Sequence, residues 1–264
     1  LEIDASRALH DLPDDPRMKI VHLSASDRTG GAAIAAWQLH RGLIERGIDS
    51  HFVVHRKTSD DDTVSTATSA EGDGVEPGEA ADIIQRVYGV RNRSDRSNTH
   101  FSLPIRSIDV SRQAHVRDAD VIHLHWVASF QNCRSLGALQ RLGKPIVWTL
   151  HDLQPFTGGC HFPAGCNGFK ASCADCPQLH HDPFAVPAAD LRDKRALWRG
   201  APPALIAPTL WMADQASGSS VFAGAEPRAI PNAVDVEVFR PRLKSEARAR
   251  LGLAEAGAYI LCGA

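Results

Sequence analysis

The sequence predicts an α/β fold in which a Rossmann-like, doubly wound parallel sheet carries flanking helices. Apolar runs of strand length alternate with helical patterns along most of the chain, and this alternation is typical of parallel sheets. With 264 residues, 43% of them hydrophobic, the chain can bury a substantial core. Its formal net charge of −2 provides no field that would recruit polyanions, so nucleic acid is not an expected partner.

The first half of the chain predicts two strands, KIVHLS and DSHFVVH, with the helix AAIAAWQLHRGLIERG between them. Gly47 is predicted to end that helix. The Ser, Thr, Asp and Gly content of residues 56–78 predicts an exposed loop. A helix over residues 79–90 is expected to follow.

The second half continues the alternation. ADVIHLHW and KPIVWTLH predict buried strands, separated by a helix over residues 132–142. PAADLRDKRALWRG and TLWMADQAS predict helices, the latter capped by Thr209, with a short strand ALIAP between them and a strand in PRAIPNAVD after them. AYILCGA predicts a buried strand over residues 259–262 whose partner would lie in a further domain. Residues 1–17 are expected to be a disordered or extraneous leader outside the fold.

The cytoplasm is the predicted location. The sequence has no apolar run long enough to span a bilayer, and its first residues lack the order of a secretory signal. Peripheral contact with the inner face of a membrane stays open. In this reducing compartment, clustered thiols favour metal binding or catalysis over disulfides.

The stretch SASDRTGG lies between the first strand and the first helix. Backbone N–H groups and the helix dipole favour an anion there, and Gly30 and Gly31 would let a phosphate approach the backbone. The stretch has neither the G-x-G-x-x-G nor the P-loop pattern, so it does not indicate a dinucleotide or a triphosphate. That the glycines only permit a tight turn is an equal alternative.

Histidines end two neighbouring strands of the predicted sheet. His123 and His125 lie on the same side of one strand, and His151 and Asp152 end the next. Ligands of open α/β sheets bind at this edge. His125, at the strand end, is the stronger candidate for a site, whereas His123 is more simply explained as a satisfied polar residue of the core.

Four of the six cysteines lie within CHFPAGCNGFKASCADC. The spacing C-x5-C-x6-C-x2-C favours one closed, structural zinc site. Its predicted ligands are Cys160, Cys166, Cys173 and Cys176. A redox C-x-x-C pair and free thiols are the alternatives, and a nearby histidine could replace one ligand: His161, His180 or His181. Cys133 and Cys262 are predicted to be packing residues.

Three stretches together resemble the N-terminal half of family 4 retaining glycosyltransferases, which have the GT-B architecture. The first is MKIVHLSASDRTGGAAIAAWQLHRGLIERG. The second joins ADVIHLHW to KPIVWTLHDLQPFTGGCHFPAGCNGFKASCADCPQL, and it is similar to a cysteine-containing branch among polysaccharide and capsule biosynthesis enzymes. The third, AIPNAVDVEVFRP, looks like the linker into a second domain, with Ala233 where glycine is usual. The resemblance covers residues 18–264.

The resemblance implies hexosyl transfer, with retention, from a nucleotide-diphosphate sugar to a saccharide or lipid-linked acceptor, without a catalytic metal. By this match Gly30 and Gly31 correspond to the loop that contacts the donor diphosphate, and His125 corresponds to the histidine that contacts the transferring sugar. Three further residues would face the acceptor side of the cleft: His123, His151 and Asp152.

The same resemblance implies a division of the chain. Residues 18–240 would form the acceptor-side domain, with the cysteine loop at residues 158–182. Residues 241–264 would be a linker and the first strand of a nucleotide-sugar-binding domain, whose E-x7-E motif the sequence lacks. The chain alone is therefore expected to be a poor catalyst.

Two other classes of function compete with this prediction. One is a zinc-stabilised, Rossmann-like binding module without catalytic activity. The other, a nicotinamide or adenosylmethionine enzyme, needs a glycine-rich fingerprint and an acidic residue at the end of the second strand. It ranks last, because that strand ends in VVHRK.

Overall fold

The computed structural model, which describes residues 18–68, 79–97 and 99–260, contains one sheet of seven strands. The strands are β1 (Lys19–Ser26), β2 (Asp49–Arg56), β3 (Val64–Thr66), β4 (Val121–Leu124), β5 (Ile146–Thr149), β6 (Ala204–Ala207) and β7 (Arg228–Ala229). Every neighbouring pair is parallel, and the order across the sheet is β3-β2-β1-β4-β5-β6-β7. The predicted Rossmann-like α/β class is confirmed. The strand order reverses between β1 and β4, which is where open sheets of this type bind ligands.

Helices connect most of these strands. They are α1 (Gly31–Glu45), α2 (Glu79–Ile84), α3 (Ala114–Asp118), α4 (Cys133–Gln140), α5 (Val186–Trp198), α6 (Leu210–Ser217) and α7 (Lys244–Arg250). A π-helical segment, Gln85–Arg91, continues α2, so the helix predicted over residues 79–90 is present. Among the described residues, no helix combines the length and the apolar composition needed to cross a membrane.

Two helices begin at side-chain caps that their sequences favour. The hydroxyl of Thr209 accepts a hydrogen bond from the backbone N–H of Met212 at 3.1 Å, which confirms the predicted cap of α6. At α4, the side chain of Asn132 accepts from the backbone N–H of Ser135, whose own hydroxyl contacts the N–H of Asn132 at 3.1 Å. This reciprocal capping box satisfies donors that would otherwise be unpaired at the helix end.

The structure departs from the sequence prediction in two elements. Residues 56–78 were predicted to be an exposed loop, but β3 lies within them, and it pairs with the edge of β2. Val64 is buried there, and the pairing satisfies backbone groups of the β2 edge. Of the buried strand predicted over residues 259–262, Tyr259 and Ile260 have no strand structure, and Ile260 is 91% exposed; the rest, including the predicted packing residue Cys262, lies outside the described residues. A strand needs a neighbour for its backbone hydrogen bonds, and Ala233–Ala264 contains no strand among its described residues.

The chain divides into two compact units, Leu1–Asn232 and Ala233–Ala264. The whole sheet belongs to the first unit. In the second, α7 is the regular element among the described residues, and the Asp235 carboxylate accepts from the N–H groups of Glu237 and Val238 to form a turn. The leader predicted at residues 1–17 lies outside the described residues, as do residues 69–78 and 261–264.

Three apolar clusters hold the first unit together. The largest joins the middle of the sheet to α4, α5 and α6 through side chains such as Leu124, Trp148 and Leu191. A second packs α1 against β2. The third contains Phe101, Leu103, Cys160 and Leu179. It fixes the cysteine segment against the segment that follows the π helix.

The cysteine segment begins with a close backbone approach. A Cβ atom built on Gly158 would lie 2.3 Å from the carbonyl oxygen of Pro187 in the first turn of α5. Such a separation is far below van der Waals contact, so only glycine allows the segment to lie against α5 without a shift of the backbone.

We therefore expect Gly158→Ala to lower the free energy of unfolding by about 1–3 kcal/mol, the usual penalty of overpacking. Gly137→Ala is the matched control, because a Cβ there meets Leu197 at an ordinary 3.5 Å. In the middle of α4 that change should raise stability by roughly 0.5–1 kcal/mol. Denaturant unfolding of both variants measures this, and equal midpoints for Gly158→Ala and the unmodified chain would contradict the packing argument.

Candidate functional site

A cavity of about 1220 Å³ lies at the carboxyl edge of β1, β4 and β5, within the first unit. The residues that follow these three strands line it, together with the first turn of α1, the segment at residues 99–106 and the inner side of α2 with its π-helical extension. The cavity therefore lies at the point where the strand order reverses.

The amino end of α1 opens into this cavity. Gly30 precedes the helix with a φ of 91°, and no side chain caps the first turn. Gly30, Gly31, Ala32 and Ala33 all line the cavity. The first N–H groups of a helix lack partners within it and carry the positive end of its dipole. This end of α1 can therefore bind an anionic group.

Asp27 shapes the loop that leads to α1. Its carboxylate accepts hydrogen bonds from the backbone N–H groups of Thr58 and Ser59 and from the Thr58 hydroxyl, all at 2.7–3.1 Å. Burial alone would raise the pKa of Asp27, but the hydrogen bonds from Ser59 and Thr58 outweigh it and hold the pKa well below its usual value. Sequence reasoning missed this residue. The signal was an acidic side chain directly after a buried strand.

A chain of imidazoles runs from the sheet interior to the cavity. Nδ1 of His22 lies 3.1 Å from Nε2 of His125, and Nδ1 of His125 lies 3.1 Å from Nε2 of His151. The ring of His123 stacks on that of His125 and hydrogen-bonds the Thr149 hydroxyl at 2.8 Å. Of these four histidines, His151 lines the cavity.

These imidazoles are neutral at pH 7. Burial lowers the pKa of His151 to about 4 and that of His123 to about 3, and it holds the pKa values of His22 and His125 well below the ordinary value. Nε2 of His22 is buried without a hydrogen-bond partner. Because an unpaired buried N–H is unfavourable, the proton belongs on Nδ1. Each ring then donates to the next one, and Nδ1 of His151 keeps a proton to donate.

The structure brings together some of the predicted site residues and separates others. Gly30, Gly31, His151 and Asp152 line the same cavity. His123 and His125 do not line it; they are 6% and 3% exposed. Thr149 and neighbouring imidazoles cover these two rings, and a hydrogen bond links His125 to His151 in the cavity wall.

A second polar cluster forms the adjacent wall. Asp152 Oδ2 lies 2.6 Å from both His161 Nδ1 and Trp126 Nε1, and His161 Nε2 lies 2.8 Å from the Ser102 hydroxyl. All four residues line the cavity. The sequence allows His161 to replace a cysteine as zinc ligand, but both of its ring nitrogens are engaged in these contacts. Ser102 carried no signal in the sequence, because its partners are 50 or more residues away.

The four clustered cysteines lie on one segment, and no three of their sulfurs lie within 4.8 Å of one another. Among the described residues, one group of three or more potential ligands has all its ligand atoms within 4.8 Å of one another, and it consists of His22, His123 and His125. The cysteines are free thiols, and burial raises the pKa of Cys160 to about 12 and that of Cys173 to about 11. A tetrahedral zinc site would need four sulfurs about 2.3 Å from a common centre.

Comparison with known proteins decides the family. The family model described as Glycosyltransferase Family 4 matches residues 29–238, about four fifths of the chain. The chain belongs to glycosyltransferase family 4. The family predicted from the three sequence stretches is thereby confirmed.

A curated family relative is similar over part of its length. The putative colanic acid biosynthesis glycosyl transferase WcaC of Escherichia coli (strain K12) is 30% identical over 169 residues, which cover 63% of this chain and 41% of that protein. The chain thus matches less than half of the length of this relative.

Two solved structures of Anabaena Alr3699/HepE are similar in fold. The complex with UDP and glucose is 14% identical with a TM-score of 0.46, and the complex with UDP is 15% identical with a TM-score of 0.43. Each comparison covers 89% of this chain and 50% of the other. TM-scores below 0.5 at such identities do not extend the ligands of those structures to this chain.

We expect Asp27→Asn to lower the free energy of unfolding at pH 7 by about 1.5–3 kcal/mol, because the hydrogen bonds from Thr58 and Ser59 would no longer have an ionised acceptor. The pKa of Asp27 is lowered in the folded state, so its contribution is complete above the unfolded pKa of about 3.9 and is lost as the pH falls through the folded value. The difference between variant and unmodified chain should therefore shrink below about pH 4.

Denaturant unfolding from pH 2 to pH 7 measures this difference. Asp60→Asn is the control, because Asp60 is exposed in the loop after β2 that carries Thr58 and Ser59, and its effect should stay within about 0.5 kcal/mol. A pH-independent difference for Asp27→Asn would show that its charge does not support the loop.

Proposed function

We propose that the protein transfers a hexosyl group from a nucleotide-diphosphate sugar to a hydroxyl of a saccharide or lipid-linked acceptor, with retention at the anomeric carbon. One observation carries the proposal. The uncapped amino end of α1 and the neutral imidazole of His151 line the same cavity, at the carboxyl edge where the strand order reverses.

The diphosphate would lie at the amino end of α1. The N–H groups after Gly30 and Gly31 have no side-chain cap, so they are available to phosphate oxygens. A Cβ on Gly31 would have no atom within 4 Å, so the space beside it is open to a ligand. Preorganised N–H donors stabilise the negative charge that develops on a leaving diphosphate.

His151 would orient the transferring sugar by donating a hydrogen bond to it. His125, which the family resemblance matches to this contact, would instead position His151, because it hydrogen-bonds to that ring from the sheet side. His123 would support the stack from the sheet interior. A neutral imidazole held by the hydrogen bond from His125 keeps one ring orientation, and fixed orientation is what a positioning group contributes to catalysis.

In the whole protein, we propose that residues 18–240 shape the acceptor side and that a second domain, to which residues 241–264 lead, holds most of the nucleotide. The chain by itself would then transfer sugar slowly, in the cytoplasm. A catalytic metal has no place in this proposal, since the N–H donors and the second domain supply the charge stabilisation.

A zinc bound by the four clustered cysteines is a separate structural proposal. Buried thiols become thiolates only when a cation compensates the charge, and zinc does so. To bind one zinc ion, the four sulfurs would have to lie closer together than they do in the structure.

The direct test of transfer is nucleotide release by the full-length protein, with a panel of uridine and guanosine diphosphate sugars and with free and lipid-linked saccharides as acceptors. We expect His151→Gln to lower kcat about 100-fold through loss of orientation. His115→Gln, an exposed histidine on α3, is the control and should leave kcat unchanged. Undiminished transfer by His151→Gln would show that His151 does not belong to the site. If the unmodified protein transfers no sugar, the result would favour the alternative function, a binding module without catalytic activity.

Gly31→Ala tests the diphosphate position. The open space at Gly31 predicts an unchanged Tm, while the added methyl group should weaken donor binding about tenfold, or 1.4 kcal/mol, by calorimetric titration. Gly42→Ala lies in the same helix and should leave the affinity unchanged. Equal affinities for both variants would place the diphosphate elsewhere.

Elemental analysis of protein purified without added metal tests the zinc site. We expect about one zinc per chain, lost in Cys173→Ser and retained in Cys133→Ser, whose thiol lies on α4. No zinc, together with four freely titrating thiols in the segment, would exclude the proposal.

A further inference from the structure

Two exposed aromatic rings stack on each other at the edge of the cavity. Phe162 lines the cavity and is 40% exposed, and Trp211, in the first turn of α6, is 49% exposed. Their ring centroids are 6.3 Å apart, and their planes differ by 13°. Neither ring belongs to the three apolar clusters that hold the first unit together. Large apolar rings that are grouped and exposed beside a cavity mark a binding surface.

Hydrogen bonds hold the backbone that carries both rings. The carbonyl oxygen of Phe162 accepts a hydrogen bond from Nε2 of the buried Gln178 at 2.7 Å. Trp211 stands two positions after Thr209, whose side chain caps α6. An aromatic side chain has only two rotatable bonds, so a ligand that packs on rings held in this way costs little conformational entropy.

The strand order determines the order of the groups along the carboxyl edge of the sheet. The amino end of α1 follows β1, His151 follows β5, and Trp211 follows β6. Pro208, directly after β6, lines the cavity, so the cavity extends to this end of the edge. Because β6 is three strands away from β1, the two strands lie about 14 Å apart at the usual spacing. The aromatic pair therefore lies on the far side of His151 from the proposed diphosphate position.

The chemistry of this surface suits a saccharide. A pyranose ring has a face of C–H groups that packs on an aromatic ring, and a rim of hydroxyl groups that needs hydrogen-bond partners. Polar side chains, among them His100 and Ser102, line the cavity together with Phe162. The cavity volume of about 1220 Å³ exceeds the roughly 300–1,000 Å³ that is typical of small-molecule sites. It therefore has room for more than one sugar unit.

We propose that Phe162 and Trp211 form the acceptor subsite and that the acceptor is a saccharide of at least two units; this rests on the proposed sugar transfer. The sugar that receives the hexosyl group stacks on Phe162, which lines the cavity. The next sugar of the acceptor stacks on Trp211, whose ring continues the surface beyond Phe162. The protein therefore extends an existing saccharide, and the two rings set the position of its end.

Saturation-transfer NMR tests the subsite without any turnover, with the full-length protein, a panel of hexose disaccharides and the matching monosaccharides. We expect transfer to the C–H protons of a bound disaccharide, with an affinity about tenfold lower in Phe162→Leu, which loses the flat ring. Phe162→Tyr should restore the affinity. Phe184→Ala is the control, because Phe184 is 76% exposed and lies outside the cavity lining. Binding of no disaccharide, or equal affinity in Phe162→Leu, would overturn the proposal.

Transfer kinetics of the full-length protein distinguish the two rings. Trp211→Ala should raise KM for disaccharide acceptors about tenfold and leave KM for monosaccharides and kcat unchanged, because its ring contacts the second sugar. Phe162→Leu should raise KM for both. Equal KM for monosaccharides and disaccharides in the unmodified protein would overturn the subsite and leave the transferase proposal standing. Disaccharide binding that depends on Phe162, without any transfer, would contradict the transferase proposal and support the subsite.

Thermal unfolding of the full-length protein tests a different occupant of this surface. We expect Trp211→Ala to leave Tm unchanged, because a half-exposed ring outside the apolar clusters contributes little to stability. A lower Tm together with an unchanged disaccharide affinity would show that Trp211 packs against the second domain, and it would overturn the proposal.

Discussion

Parallel pairing of β1, β4 and β5 is the constraint on which the site depends. The register aligns His22 with His123 and Leu124 with Trp148, so the three strands end at one edge. The polar side chains that follow these strands therefore need hydrogen-bond partners in a largely buried region. Neighbouring imidazoles, carboxylates and N–H groups provide those partners. The cavity wall is the result of that requirement.

The charges at this edge are balanced in a way that suits an anionic ligand. Asp27 and Asp152 are the carboxylates next to the strand ends, and each is already surrounded by hydrogen-bond donors from its own neighbours. The imidazole chain is neutral because of burial. The amino end of α1 thus supplies positive potential from uncapped N–H groups, next to carboxylates whose charge is locally compensated.

Periodicity in the sequence predicted much of the fold, but not the partners of the site residues. The alternation of strands and helices, the cap at Thr209 and the placement of Gly30 and His151 in the wall of one cavity all follow from local pattern and from parallel topology. β3 was missed because three residues at a sheet edge in a polar stretch carry little apolar signal. The exposure of His125 depends on which rings cover it, and no local pattern contains that information. Ser102 meets His161 across 59 positions of the chain through backbone contacts that only the folded structure shows.

A crystal structure of the full-length protein with a bound nucleotide-diphosphate sugar would test the central claim most directly. The account predicts diphosphate oxygens within hydrogen-bond distance, about 2.7–3.2 Å, of the N–H groups at the start of α1. It also predicts the sugar ring beside His151. A diphosphate bound away from Gly30 and Gly31, with the cavity at the β1–β4 edge occupied only by water, would contradict the account.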